Sequence, residues 1–247
     1  MKRTTTMLVI ALAMAAYAFA QSAAKPDASL PSVDQVLDKY VQALGGKSNI
    51  EKQTSRLNKG TLEIPAFGAS GTFETYEQAP NKSSATIDIT GFGTIREGYD
   101  GKVAWSQDPQ SGLREKSGLE LAATKLENEF HRNIKLKQLY PKIIVKGKEK
   151  VGENDAIVLE ATPTEGAVEQ WYFDAASGLL VRQDAERETP QGKMAIQTFF
   201  DSYREVDGVK IPVVVRQVSP VFTVNMKTDE IKHNIQVDPT KFAKPTS

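Results

Sequence analysis

The run Val168-Glu169-Gln170-Trp171-Tyr172-Phe173-Asp174-Ala175-Ala176-Ser177-Gly178-Leu179-Leu180-Val181-Arg182-Gln183 holds two β-favouring segments around a short polar turn. Asp174 is placed to accept hydrogen bonds from turn amides, and Gly178 to take the positive φ that closes the reversal. The run predicts an antiparallel hairpin with a loop of about four residues. Leu179, Val181 and Gln183 share one face of the second strand, Leu180 and Arg182 the other. Most of the chain repeats this grammar of strand, tight polar turn, strand.

Around this hairpin, Ile143–Val151, Ala156–Thr162, Met194–Tyr203, Val209–Val218 and Val221–Ile231 read as extended, with turns at Gly152-Glu153-Asn154, Pro163–Gly166, Pro190-Gln191-Gly192 and Asp207-Gly208. Pro212 places the start of its strand late or at an edge. Towards the N-terminus, strands are expected at Thr61–Ile64, Gly71–Tyr76, Ser84–Ile89, Gly93–Tyr99 and Val103–Ser106, with Asp100-Gly101 as a two-residue hairpin turn and Asp108–Gly118 as a loop. The total is about twelve strands, spaced as an antiparallel sheet is.

Two helices interrupt this pattern. Ser32-Val33-Asp34-Gln35 is a capping box, followed by Val33, Val36, Leu37, Tyr40, Val41 and Leu44 on one face and stopped by Gly45-Gly46. Ser117-Gly118-Leu119-Glu120 is a second capping box. After it Leu119, Ala122, Ala123, Leu126, Phe130 and Ile134 recur at helical spacing until Pro141, as one helix or one broken near Asn133. Glu120, Lys125, Glu127 and Arg132 make its polar face, which reads as solvated. Phe242 is expected to dock in the C-terminal tail.

The N-terminus reads as a secretion address. Lys2 and Arg3 precede an apolar core from Met7 to Phe19, and Ala18-Phe19-Ala20 is a small-x-small cleavage site. Residues 1–20 are thus a signal peptide, 21–32 a polar tether, and 33–247 one domain. Lys plus Arg and Asp plus Glu number 31 each, so no global field recruits nucleic acid. The absence of cysteine excludes disulfides, thiolate chemistry and an N-terminal lipid anchor, so the mature protein is expected to be soluble.

Little in the sequence points to catalysis. His131 and His233 stand in no metal-ligand spacing and near no nucleophile motif; His131 reads as a surface residue and His233 as a strand-end polar residue. Gly91-Phe92-Gly93 and Gly68-Ala69-Ser70-Gly71 open no helix and are turns rather than phosphate loops. Asn81-Lys82-Ser83 matches a glycosylation sequon. The acidic pairs Glu127/Glu129 and Glu186/Glu188 read as solvated surface. The aromatic set Trp105, Trp171, Phe173, Phe199, Phe200 and Phe222 carries the remaining signal. About twelve strands with only two helices close into a barrel, split into a sandwich or stay open. An open, curved sheet would leave a trough that two helices can lid but hardly fill.

The order of signal, helix, strands, midpoint helix and strands resembles the LolA-like family of periplasmic lipoprotein carriers and outer-membrane lipoprotein-sorting proteins. The segment Trp171–Arg182 is similar to a recurring hairpin of that family, as is Ala79-Pro80-Asn81-Lys82 leading into a strand, and the resemblance spans residues 33–242. It implies an open, curved antiparallel half-barrel, mainly β, lidded by helices over an apolar cavity that carries acyl chains non-covalently. Each buried CH₂ is worth about 0.8 kcal/mol, so a chain of about 16 carbons meets roughly 10 kcal/mol against entering water unescorted. The mature chain is longer than the compact carriers of the family. Arg96, Arg182 and Arg216 are the strand candidates for the arginine with which such carriers latch the lid.

The expectation is a soluble, monomeric periplasmic carrier or binder of lipid or lipoprotein acyl chains, non-enzymatic and without cofactor or metal. Leu119, Leu126 and Phe130 of the midpoint helix and Trp105 and Trp171 of the sheet are the candidate cavity residues. The alternative is an envelope sensor or protein-interaction module using the same concave face, in contact with envelope membrane proteins. A hydrolase that depends on His131 or His233 is a third reading.

Overall fold

The computed structural model describes residues 30–189 and 192–246. The signal peptide read at 1–20, nearly all of the tether at 21–32 and the Pro190-Gln191 part of one turn lie outside the described residues.

Helix α1, Val33–Ala43, begins on the capping box read from sequence: Ser32 Oγ accepts from Gln35 N at 3.2 Å, and Ser32 N donates to Gln35 Oε1 at 2.8 Å. Val36, Leu37 and Tyr40 are its buried face. It ends at Gly45, where a Cβ would lie 2.0 Å from the Gly208 carbonyl oxygen, so only glycine lets the two chains approach there. A five-residue helix α2, Lys47–Glu51, follows; the sequence pattern did not show it.

The first arm of the sheet is β1 (Ser55–Ile64), β2 (Ala69–Gln78), β3 (Lys82–Ile89), β4 (Gly93–Tyr99), β5 (Ala104–Asp108) and β6 (Gly112–Glu115). After helices α3 (Gly118–Glu127) and α4 (Arg132–Leu139), the second arm is β7 (Lys142–Val151), β8 (Asn154–Thr162), β9 (Glu169–Asp174), β10 (Leu180–Thr189), β11 (Gly192–Val206), β12 (Val209–Val218) and β13 (Thr223–His233). These thirteen strands, counted among the described residues, form one open antiparallel sheet in the order β6-β5-β4-β3-β2-β1-β13-β12-β11-β10-β9-β8-β7. Each arm is a simple meander. The two arms join where β1 pairs β13, from Arg56↔His233 to Glu63↔Asn225. The sheet curves without closing, as the sequence predicts. Its free margins, β6 and β7, are successive in the chain and are linked by α3 and α4.

The β9–β10 turn forms as its residues dictate, but a bulge between Leu180 and Arg182 breaks the expected alternation: Leu180 joins Gln183 on the inner face and Val181 joins Arg182 on the outer. Asp174 Oδ1 accepts from Ser177 N at 2.6 Å and from its Oγ at 2.7 Å, Gly178 takes φ 78°, and Gly178 N donates to the Asp174 carbonyl at 2.8 Å. Elsewhere side chains redraw the expected turns. Asp100 Oδ1 accepts from the amides of both Lys102 and Val103, which spreads that reversal over four residues before Tyr99 meets Ala104. Asp108 Oδ1 does the same for Gln110 and Ser111, so the expected loop at 108–118 contains the short strand β6. Pro212 lies inside β12, where it pairs Tyr203 of β11; the ladder to β13 begins only at Val214, so no amide is missing from that side.

The midpoint helix is two helices, broken at residues 128–131 rather than near Asn133. Asn128 Nδ2 bonds back to Thr124 O at 2.8 Å, and Phe130 N is drawn 2.9 Å from the Pro80 carbonyl. The second capping box does not form. Ser117 makes no side-chain cap, and the Glu120 carboxylate, the other half of the box, is taken by both Arg114 Nη atoms at 2.7 Å each.

The main core lies between the helices and the second arm. Val36, Leu37, Tyr40 and Leu44 of α1 and Leu136 and Tyr140 at α4 pack on Ile157, Leu159, Trp171 and Phe173. A second, smaller cluster of Ala156, Val158 and Tyr172 lies on the outer face of the same strands.

Candidate functional site

Because the helices pack chiefly on β7–β10, they roof the seam between the arms without filling it. A hollow of about 400 Å³ lies there, within the range of small-molecule pockets. Leu62 of β1, Phe73 of β2, Ile87 of β3, Phe200 of β11, Val215 of β12 and Met226 of β13 form an apolar stretch of its wall. Tyr40 and Leu44 of α1, with Arg132 and Asn133 of α4, contribute the roof, and Arg56, Asn58, Thr75, Glu77 and Gln183 line it from the sheet. The strand alternation explains the set. Arg56, Asn58 and Leu62 share parity on β1, and their partners Glu77, Thr75 and Gly71 share it on β2. Gly60, on the same face, is pressed by the Phe73 ring, which a Cβ there would meet at 2.8 Å.

Roof and sheet are joined by a buried carboxylate. Glu169, 2% exposed on β9, accepts at Oε2 from Tyr140 Oη at 2.9 Å, Trp171 Nε1 at 2.9 Å, Gln183 Nε2 at 2.8 Å and Arg132 Nη2 at 3.3 Å. Its Oε1 lies 3.1 Å from Arg187 Nη2, and Arg187 Nε reaches Glu127 of α3 at 2.6 Å. Arg132 also donates to the Tyr140 hydroxyl at 2.6 Å. Burial alone would lower the Arg132 pKa, but the Tyr140 phenol and the Glu169 carboxylate outweigh it and the pKa is raised. Burial raises the Tyr140 phenol well above its ordinary range. Tyr40 is also pushed up by burial, to about 12, and its hydroxyl donates to Asn133 Oδ1 at 3.1 Å. Arg132, expected on a solvated face, is therefore a tie between α4 and the sheet. The break before α4 rotates it inward, away from the register of α3.

The hollow has a second arginine. Arg56 pairs with Glu77, and its guanidinium lies 5.8 Å from the Phe130 ring centroid. Arg56 Nε, Asn58 Oδ1 and Arg132 Nε are buried without a hydrogen-bond partner among the described residues.

The five cavity candidates fall in four places. Trp105 lies on the outer face, since Ser106 beside it pairs Glu97, which looks toward α3; its ring covers Gly98, and its Nε1 donates to the Phe242 carbonyl at 3.1 Å. Phe242 is fully buried there, docked as expected. Trp171 is on the helix side but sealed by Tyr140, ring edge to face at 4.6 Å. Leu119 and Leu126 share a separate cleft of about 200 Å³ with Pro163, Ala167 and Arg187. Phe130 stands beside the hollow at Arg56, its ring 5.1 Å from His131. None of the five is among the residues that line the seam hollow, though Leu126 also borders a cleft of about 450 Å³ with Leu121, Leu139 and Pro163. Arg182 and Arg216 flank the Phe199 ring on the outer face, and Arg96 shares that face by its pairing with Gln107. His131, expected at the surface, is half-buried with Nε2 2.9 Å from the Gln53 carbonyl, and His233 is the last residue of β13.

The lining residues were missed for want of register. Phe200 stood in the aromatic set, but the strand expected at Thr61–Ile64 starts too late to include Arg56 and Asn58, and Gln183 stood out only as sharing a strand face with Leu179 and Val181. The available signal is that Leu57, Lys59 and Thr61 are offset by one residue from Arg56, Asn58 and Leu62, and only the pairing says which set faces inward.

No family model matches the sequence, and no curated protein matches it. Solved structures do. A DUF1329 family protein from Desulfovibrio piger superposes with TM-score 0.58 at 14% identity, over 85% of this chain and 97% of that one. A LolA superfamily protein from Nitrosomonas europaea gives 0.58 at 11% identity, over 87% and 99%. A putative outer membrane lipoprotein-sorting protein domain from Vibrio parahaemolyticus gives 0.51 at 12%, over 84% and 97%. With an unclosed antiparallel sheet whose two free margins are bridged by roofing helices, the chain shares the fold of these structures, the LolA superfamily protein among them.

Proposed function

We propose that this chain is an exported, non-enzymatic carrier or binder of lipid or lipoprotein acyl chains, working in the cell envelope as a monomer. The observation that carries the reading is the hollow of about 400 Å³ between roof and seam, walled by Leu62, Phe73, Ile87, Phe200, Val215 and Met226. Apolar wall replaces water around a chain at about 25 cal/mol for each Å² covered, which is the contact a carrier must supply. The fold shared with proteins described as LolA superfamily and lipoprotein-sorting supports the same reading. Among the described residues, no helix is long and apolar enough to cross a membrane.

The test is native mass spectrometry of the purified protein before and after delipidation, together with titration of a fluorescent fatty acid. Carriage predicts co-purified lipid and saturable binding. Absence of both ends the proposal, and a stoichiometric envelope protein captured equally well after delipidation supports a protein-interaction module instead.

A further inference from the structure

The hollow is not uniformly greasy. Its polar groups gather at one end: Arg56 and Asn58 at the start of β1, Glu77 at the end of β2, and Arg132 and Asn133 on α4. Its apolar wall lies farther along the same strands. From Arg56 to Leu62 is six residues, about 20 Å of extended chain. Glu77 is the one carboxylate among the lining residues, against Arg56, Arg132 and Lys210. Both arginines spend one edge on a carboxylate of the protein, Arg56 on Glu77 and Arg132 on Glu169. Both leave a buried Nε–H with no acceptor among the described residues. A buried donor without an acceptor costs about 1–3 kcal/mol, so two of them at one end of one hollow mark where an acceptor belongs.

Asn58 fits the same pattern. Its Nδ2 donates to Thr75 Oγ1 at 3.1 Å, while Oδ1 has no partner. Turning the amide over would let the Thr75 hydroxyl donate to Oδ1 and free Nδ2 as a third donor.

We infer that the hollow takes a single-chain amphiphile with an anionic head, the head seated at Arg56, Arg132 and Asn58 and the tail running over Phe73 towards Met226. This rests on the reading of the hollow as an acyl-chain site. A carboxylate or phosphate supplies the acceptors that the two Nε–H groups lack, and charge-assisted bonds of this kind are the strong ones. A volume of about 400 Å³ stands near the lower end of the usual pocket range, which suits one chain rather than several.

The experiment compares three probes of equal chain length, dodecanoate, dodecyl phosphate and dodecan-1-ol, by calorimetric titration at pH 8. The anionic pair is expected to bind at least about tenfold tighter than the alcohol, a difference of about 1.4 kcal/mol. In Arg56→Gln the ratio of acid to alcohol affinity should fall towards one, and in Arg56→Lys, which keeps the charge, it should be largely retained. Thermal melts of both variants establish that they are folded. Equal affinity of acid and alcohol for the unaltered protein, or a ratio untouched in Arg56→Gln, overturns the anionic head while leaving acyl-chain carriage standing. Failure of all three probes to bind overturns carriage itself, and the head assignment with it.

Discussion

The Tyr140 hydroxyl donates to the Glu169 carboxylate across 2.9 Å, and that bond ties the end of α4 to β9. Arg132 closes the triangle, bonded to both. The three groups hold the roof on the sheet at the border of the hollow. One carboxylate thus receives two guanidiniums, a phenol, an indole and an amide, and its removal leaves several buried donors unmatched.

Glu169→Gln keeps the shape of the side chain and removes its charge. Breaking one partner out of a buried ion pair typically costs about 3–5 kcal/mol. Arg187 keeps Glu127, so the loss here is expected near the lower end, about 3 kcal/mol, read from the urea midpoint. Amide exchange should rise first across 132–140. A loss under about 0.5 kcal/mol, within the range of ordinary surface changes, would mean that Glu169 does not anchor the roof.

Val215→Phe puts a ring into the hollow between Phe200 and Met226, its partners across the two ladders. Occupancy of an acyl probe should fall by about tenfold or more, while thermal stability shifts little because the ring enters existing space. Unaltered probe binding by a folded variant would place the acyl site elsewhere.

His233 gives the fold a pH dependence of defined sign. Its imidazole is 2% exposed and lies 3.1 Å from Asp207 Oδ2 through Nδ1. Burial lowers its pKa below 6.5, helped by Arg56, although Asp207 and Glu77 pull the other way. The unfolded chain therefore binds the proton more readily than the native one. Stability from this group is complete above pH 6.5, declines as the pH falls below that value, and levels off beneath the folded pKa. Urea midpoints of the native protein and of His233→Gln, measured from pH 7.5 to 5, should converge on acidification. Parallel curves would refute a neutral buried imidazole.

The parts of the fold that local chemistry decides were legible in the sequence. The capping box at Ser32 and Gln35, the Asp174-Ser177-Gly178 turn and the docking of Phe242 all formed as read. So did the open, curved sheet with few helices. What escaped depends on partners distant in sequence. Glu120 looked like a cap residue, yet Arg114, across the turn before α3, claims its carboxylate. Arg132 looked solvated because α3 and α4 were read in one register, and the break at 128–131 resets it. Trp105 and Trp171 carry equal apolar weight, but strand parity turns one outward beneath Phe242 and Tyr140 closes off the other. Periodicity tells which residues share a face; it does not tell which face is covered, or by what.

The β1–β13 ladder stitches the first strand to the last, and among the described residues the opposite margins, β6 and β7, do not pair with each other. The sheet is therefore like an open book with its spine at that ladder and a strap, α3 and α4, across the fore-edge. The strap crosses between the margins without adding a rung to the strand ladder. Strand pairing therefore carries the scaffold, while side-chain ties such as Arg132–Glu169 and Arg187–Glu127 carry the strap.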